Sequence, residues 1–109
     1  MSQRVAQVNE MLRSKIAMLI ETELTPFQGL VTISYVDCSP DLRYAKIGVS
    51  VLPAQYLGST LTELKKLSRR FSAELKKSTR LHFIPRLEWQ ADATEAKAAE
   101  IEALLDSIK

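Results

Sequence analysis

Residues 60–89 read TLTELKKLSRRFSAELKKSTRLHFIPRLEW, and this stretch decides the fold. Leu61, Leu64, Leu67, Ser68, Phe71 and Leu75 recur at helical spacing and define one inner stripe. Ser59 or Thr60 is the expected cap, because Thr60-x-x-Glu63 matches a capping box. After the helix, Leu81 to Trp89 reads as a strand, interrupted or edged by Pro85. A strand reached through a helical crossover is expected to lie parallel to the strand before the helix, with a right-handed connection.

Charge singles out the same stretch. Between Lys65 and Arg86 lie Lys65, Lys66, Arg69, Arg70, Lys76, Lys77, Arg80 and Arg86, opposed by Glu74 alone. The window carries +7 while the rest of the chain carries −5. At about 100° per residue, the helical cations fall on one arc away from the apolar stripe. A near-neutral protein that concentrates positive charge in one element usually aims it at a polyanion. The plainer reading is a solvated, lysine-rich helix face.

Upstream, Leu30 to Asp37 (LVTISYVD) alternates Val31, Ile33 and Tyr35 with Thr32, Ser34 and Val36, a β-branched, period-two pattern. Ala45 to Leu52 (AKIGVSVL) places Ile47, Val49 and Val51 on one face. The turn chemistry of Pro40-Asp41 joins the two as an antiparallel hairpin. One apolar and one polar face suit a sheet covered by helices on one side. Before the hairpin, Val5, Val8, Leu12, Ile16, Leu19 and Ile20 form a helical stripe from Gln3 to Glu23, ended by Pro26 and Gly29. Beyond Trp89, a helix is expected from Asp92 or Thr94, apolar at Ile101, Leu104, Leu105 and Ile108. Its acidic residues make it a poor nucleic-acid surface, and it is expected to pack on the domain or cover a sheet edge. The order is helix-strand-strand-helix-strand-helix: an α+β domain with a three-stranded sheet.

Length and composition bound the function. A chain of 109 residues, 46% hydrophobic and 26% charged, is expected to be a single domain spanning 1–109. No segment reads as a signal peptide or approaches the ~20 apolar residues of a membrane span, so a soluble, cytoplasmic protein is expected, with no membrane partner. Cys38 is the one cysteine; it reads as a turn residue or small buried group. His82 is the one histidine, expected on a strand surface without a partner carboxylate or thiol. No glycine-rich phosphate loop and no metal-ligand spacing is present. No enzyme activity, catalytic residue, metal, cofactor or small-molecule substrate is therefore expected.

Two motifs carry a resemblance. Val31-Thr32-Ile33, followed by Ser39-Pro40-Asp41-Leu42-Arg43-Tyr44-Ala45-Lys46-Ile47 and ending in Val49-Ser50, is similar to the hairpin of the bacterial ribosome-binding factor A family. The series Arg80-Leu81-x-x-x-Pro85-x-Leu87-x-Trp89-x-x-Asp92 is similar to that family's arginine, proline, leucine, aromatic and aspartate spacing. Arg4-Val5 before an isoleucine/leucine helix resembles its start, and the likeness covers nearly the whole chain. The resemblance implies a type II KH-like fold whose central helix is kinked. It implies an assembly factor that binds the immature small (30S) ribosomal subunit and its 16S rRNA. Such a factor assists rRNA processing, notably in the cold, and leaves before translation. Where relatives bend the element at an alanine-x-glycine, this chain has Leu67-Ser68-Arg69, in a helix read as glycine-free. Either the helix is straighter, or Ser68 bends it by bonding back to a carbonyl.

For RNA, Lys65, Lys66, Arg69, Arg70, Lys76, Lys77 and Arg80 are the expected phosphate contacts, with Arg86 in the same basic window and Arg43 and Lys46 extending the surface from the hairpin. Of the aromatic residues, Phe71, Phe83 and Tyr35 read as core, while Tyr44, Tyr56 and Trp89 are the candidates for accessible rings. Trp89 is read first as packing. Recognition of RNA shape and backbone is expected, by a protein that is monomeric when free. The competing function is a protein-interaction module whose basic helix binds an acidic partner.

Overall fold

The structure, a computed structural model, describes residues 3–24 and 30–92. The final helix expected from Asp92 or Thr94 lies outside the described residues. The elements are α1 (Gln3–Glu23), β1 (Leu30–Cys38), β2 (Tyr44–Leu52), a 3₁₀ turn (Ala54–Tyr56), α2 (Leu57–Ser78) and β3 (Arg86–Ala91). The sheet order is β1-β2-β3, with β1 and β2 antiparallel and β2 and β3 parallel, as the helical crossover requires.

Both helices lie on the same face of the sheet. Their stripes, Val5, Val8, Leu12, Ile16 and Ile20 from α1 and Leu64, Phe71 and Leu75 from α2, are buried against it. The sheet contributes Ile33, Val36, Cys38, Ala45, Ile47, Val49, Val51, Leu87 and Trp89. Burying each large apolar side chain here contributes about 1.5–3 kcal/mol. Phe71 meets Trp89 edge to face, ring centroids 6.0 Å apart at 70°, and so ties α2 to β3.

Four expectations are corrected. First, Tyr35 is not core. A bulge between Ile33 and Tyr35 shifts the β1 register, so Val36 and Cys38 take the inner face and Tyr35 passes to the outer one. There its ring crosses Gly48 of β2, where a Cβ would overlap the face of the ring, and its hydroxyl donates to Gln90 Oε1 of β3 at 2.9 Å. Gly48 is thus required by a close approach across the sheet.

Second, α2 begins at Leu57, two or three residues before the expected cap at Ser59 or Thr60, because the 3₁₀ turn runs directly into it. Gly58 therefore lies in the first turn, and the helix is not glycine-free. The capping box does not form: Thr60 is buried, and its hydroxyl finds no partner among the described residues. Ser59 Oγ instead donates to the Tyr56 carbonyl at 3.1 Å.

Third, β3 starts at Arg86 rather than Leu81. Pro85 has no N–H to give, and the first bond of this strand is Arg86 N–H to the Arg43 carbonyl at 2.8 Å. His82 is consequently in the connection between α2 and β3, not on a strand. Fourth, Phe83 in the same connection is 58% exposed rather than core.

The turn between β1 and β2 is organised by Ser39. Its hydroxyl donates to Asp41 Oδ1 at 2.6 Å and accepts from the backbone N–H of Arg43 and Tyr44 at 3.2 and 3.1 Å. Leu42 takes the left-handed conformation (φ 61°) that closes the turn. Through the Arg86–Arg43 bond, this turn, the end of α2 and the start of β3 meet at one end of the sheet.

Candidate nucleic-acid interface

All ten cations singled out from the sequence are exposed: Arg43, Lys46, Lys65, Lys66, Arg69, Arg70, Lys76, Lys77, Arg80 and Arg86. Helical spacing resolves those on α2 into two rows about 100° apart. Lys65, Arg69 and Lys76 form one row with Ser72; Lys66, Arg70 and Lys77 form the other. The inner stripe of Leu64, Phe71 and Leu75 holds both rows away from the core.

Lys65, Arg69 and Ser72 of the first row border a groove of about 900 Å³ between α2 and β3. Lys65, Ser68, Arg69 and Ser72 line its helical wall, and residues 86–90 line its strand wall. Lys65, Arg69 and Arg86 give the groove three cations against the half-buried carboxylate of Glu88. β3 pairs with β2 on one side, and among the described residues no strand pairs with its other edge. The groove therefore offers cations, the Ser72 hydroxyl and backbone polar groups together, a set suited to a phosphodiester backbone.

The second row is partly committed. Arg70 makes a 3.0 Å ion pair with Glu23 at the end of α1, and Lys77 lies 3.7 Å from Glu74. Arg70 thus joins the two helices, while Arg69, one residue earlier, turns to the groove. Arg43 is 3.7 Å from Asp41, whose carboxyl is held below the usual carboxylate range by the Ser39 hydroxyl and the Arg43 N–H. Lys46 lies in register between Asp37 and Glu88. The basic surface is continuous on α2 and diluted by acids on the hairpin.

Leu67, Ser68 and Arg69 lie within α2, which stays α-helical through them without a break. Ser68 does bond back, donating to the Leu64 carbonyl at 3.1 Å. The same oxygen accepts the Trp89 indole N–H at 2.6 Å. Trp89 is buried, in keeping with packing rather than stacking; Tyr44 is 46% exposed and Tyr56 half-buried. Ser72 and Gln90, which line the groove, were not singled out from the sequence. The signal for Ser72 is its spacing of four from Ser68 and three from Arg69.

Cys38 is buried at the end of β1, its N–H accepted by Asn9 Oδ1 at 2.8 Å. Burial, and then the charge of Asp37, pushes its thiol up, which disfavours the nucleophilic thiolate. Among the described residues no group of three or more His, Cys, Asp or Glu is placed to hold a metal ion, and no helix is long and apolar enough to cross a membrane.

Comparison with known proteins gives a consistent result. A sequence model described as ribosome-binding factor A matches residues 4–105. Ribosome-binding factor A of Thioalkalivibrio sulfidiphilus is 34% identical over 94% of this chain and 81% of its own length. That of Ectopseudomonas mendocina is 32% identical over 94% and 84%. The crystal structure of ribosome-binding factor A from Thermus thermophilus superposes with a TM-score of 0.72 at 25% identity, covering 80% of this chain and 93% of that one. A homology model of the Thermus thermophilus factor, fitted into a cryo-electron microscopy map of a 30S complex, superposes with a TM-score of 0.57 at 25% identity, covering 84% and 93%.

Proposed function

The chain belongs to the ribosome-binding factor A family, and from that premise we propose that it binds the immature small (30S) ribosomal subunit through its 16S rRNA and assists maturation of that RNA. The observation that carries this reading is the pair of exposed cation rows on α2, one of them bordering the groove with β3. A folded RNA presents closely spaced phosphates along shallow grooves and single-stranded joints. Lys65, Arg69 and Lys76 supply one line of contacts, and Lys66, Arg70 and Lys77 a second. Arg80, Arg86 and Arg43 extend the surface towards the hairpin turn, and Lys46 continues it on β2. Guanidinium groups fork onto single phosphates, so these contacts set position and register rather than base sequence.

In this reading the protein acts by binding and not by catalysis, as a single domain that is monomeric when free and cytoplasmic in location. Its contribution is to hold a maturing RNA segment in one arrangement, a task most demanding in the cold, where misfolded RNA rearranges slowly. The 30S complex of the Thermus thermophilus factor supports the choice of the small subunit as partner.

The test is cosedimentation with isolated small subunits at low salt. Wild-type protein is expected in the subunit fraction and is expected to leave it steeply as salt rises. Reversing Arg69, Arg70, Lys76 and Lys77 to glutamate is expected to abolish binding while circular dichroism and thermal melting show a folded domain. A folded quadruple variant that still cosediments would overturn the α2 surface as the interface. Salt-sensitive binding to an acidic protein in place of RNA would transfer the same surface to the competing interaction-module reading.

A further inference from the structure

Phe83 stands in the connection from α2 to β3 with 58% of its surface exposed. The core does not use its ring. It borders a small hollow of about 50 Å³, shared with Arg4, Val8, Leu42, His82 and Pro85. Val8 and Pro85 are buried and give the hollow an apolar floor. Leu42 completes it from the hairpin turn, in a left-handed backbone conformation that a branched side chain rarely adopts.

A single exposed apolar side chain is ordinary on a protein surface. The setting of this one is not. Arg80 and His82 precede it on its own segment, and Arg86 follows Pro85. The bond from Arg86 N–H to the Arg43 carbonyl brings the hairpin turn and its guanidinium to the same end of the sheet. Arg4, in the first turn of α1, lines the same hollow, and the last turn of α2, with Lys76 and Lys77, leads into the connection that carries Phe83. An exposed aromatic ring beside an apolar hollow, at an end of the domain to which α1, α2, β3 and the hairpin turn each bring a cation, suits the holding of single-stranded nucleic acid. The cations follow the backbone while the ring takes the face of a base. Paired bases in an A-form duplex present no free face to such a ring.

We propose that Phe83 is a stacking platform for one unpaired nucleotide of the bound RNA, held there by the basic residues at this end of the sheet. This rests on the RNA-binding reading above and deepens it. The α2 rows contact backbone, and the Phe83 end selects a single-stranded joint next to it.

The experiment compares the wild-type chain with Phe83→Ala, Phe83→Leu and Phe83→Trp for binding to labelled oligoadenylate of about ten nucleotides and to an RNA duplex of similar length. Phe83→Ala is expected to weaken oligoadenylate binding roughly tenfold and to change duplex binding by less than about twofold. Phe83→Leu is expected to behave like Phe83→Ala, because it keeps bulk and loses the π face. Phe83→Trp is expected to restore affinity, with its added emission quenched by oligoadenylate. The salt dependence of Phe83→Ala should equal that of wild type, since no charge is removed. Wild-type affinity in Phe83→Ala or Phe83→Leu overturns the platform and leaves the α2 surface standing. So does an equal loss on duplex and single strand. If wild type binds neither RNA nor small subunits, the RNA-binding reading fails and the platform falls with it.

Discussion

The indole N–H of Trp89 donates to the Ser68 hydroxyl at 2.6 Å, and that hydroxyl donates onward to the Leu64 carbonyl at 3.1 Å. One serine oxygen therefore satisfies the buried indole of β3 and is itself oriented by the α2 backbone. Both residues line the groove, so the bond also sets the distance between its walls.

Ser68→Ala leaves the Trp89 N–H buried without that acceptor, which costs about 1–3 kcal/mol. Trp89→Phe removes the donor and keeps an aromatic ring beside Phe71. In a double-mutant cycle measured by urea unfolding, the two substitutions are expected to couple by about 1 kcal/mol. Simple additivity would show that the bond contributes nothing to stability.

Gly48→Ala places a Cβ where the Tyr35 ring now lies. The ring must move, and the Tyr35–Gln90 bond across the outer face is lost. A destabilisation of about 1–3 kcal/mol is expected. In a Tyr35→Ala background the same substitution should cost far less, because the obstacle is gone. Equal costs in both backgrounds, read by thermal unfolding, would refute the close approach.

Arg69 and Arg70 are adjacent in sequence but differ in commitment. Arg70 pairs with Glu23, and Arg69 borders the groove. Arg69→Ala is expected to weaken small-subunit binding and lower the log–log salt slope by about one. Glu23→Ala releases Arg70 and removes a carboxylate from the same surface, so binding should hold or tighten. Stability should fall by no more than about 1 kcal/mol, since Arg70 is largely exposed. Weakened binding in Glu23→Ala, comparable to Arg69→Ala, would contradict this division.

Asp41 is held below the ordinary carboxylate range, first by the Ser39 hydroxyl and then by the Arg43 N–H. Its folded pKa is thus lower than its unfolded one. The stabilisation is fully present above the unfolded carboxylate pKa, about 4, and is lost as pH falls through the lower folded value. Asp41→Asn is expected to flatten this part of the acid limb of a stability–pH curve. Ser39→Ala should do the same while also loosening the turn. An unchanged acid limb in both variants would show that the turn carboxylate does not contribute.

Periodicity alone determined most of this fold. The stripe from Val5 to Ile20 sets α1, the alternation of β-branched residues sets the hairpin, and the helix after it makes β3 parallel to β2. Such patterns are legible because each repeats within one element, where spacing and burial report the same geometry. The exposed cations of α2 are legible for the same reason.

What only the tertiary structure decided depends on partners distant in sequence. The β1 bulge exists relative to β2, and it sends Tyr35 to the outer face over Gly48. The start of β3 follows from which N–H reaches Arg43, and that excludes Pro85 and leaves Phe83 outside the sheet. One even arc of charge became a groove row and a row tied to α1, because β3 flanks one side of α2 and Glu23 reaches Arg70 at 3.0 Å. A side chain's spacing along its own element says which way it points. What it meets there is set by register and packing between elements, which no single stretch of sequence contains.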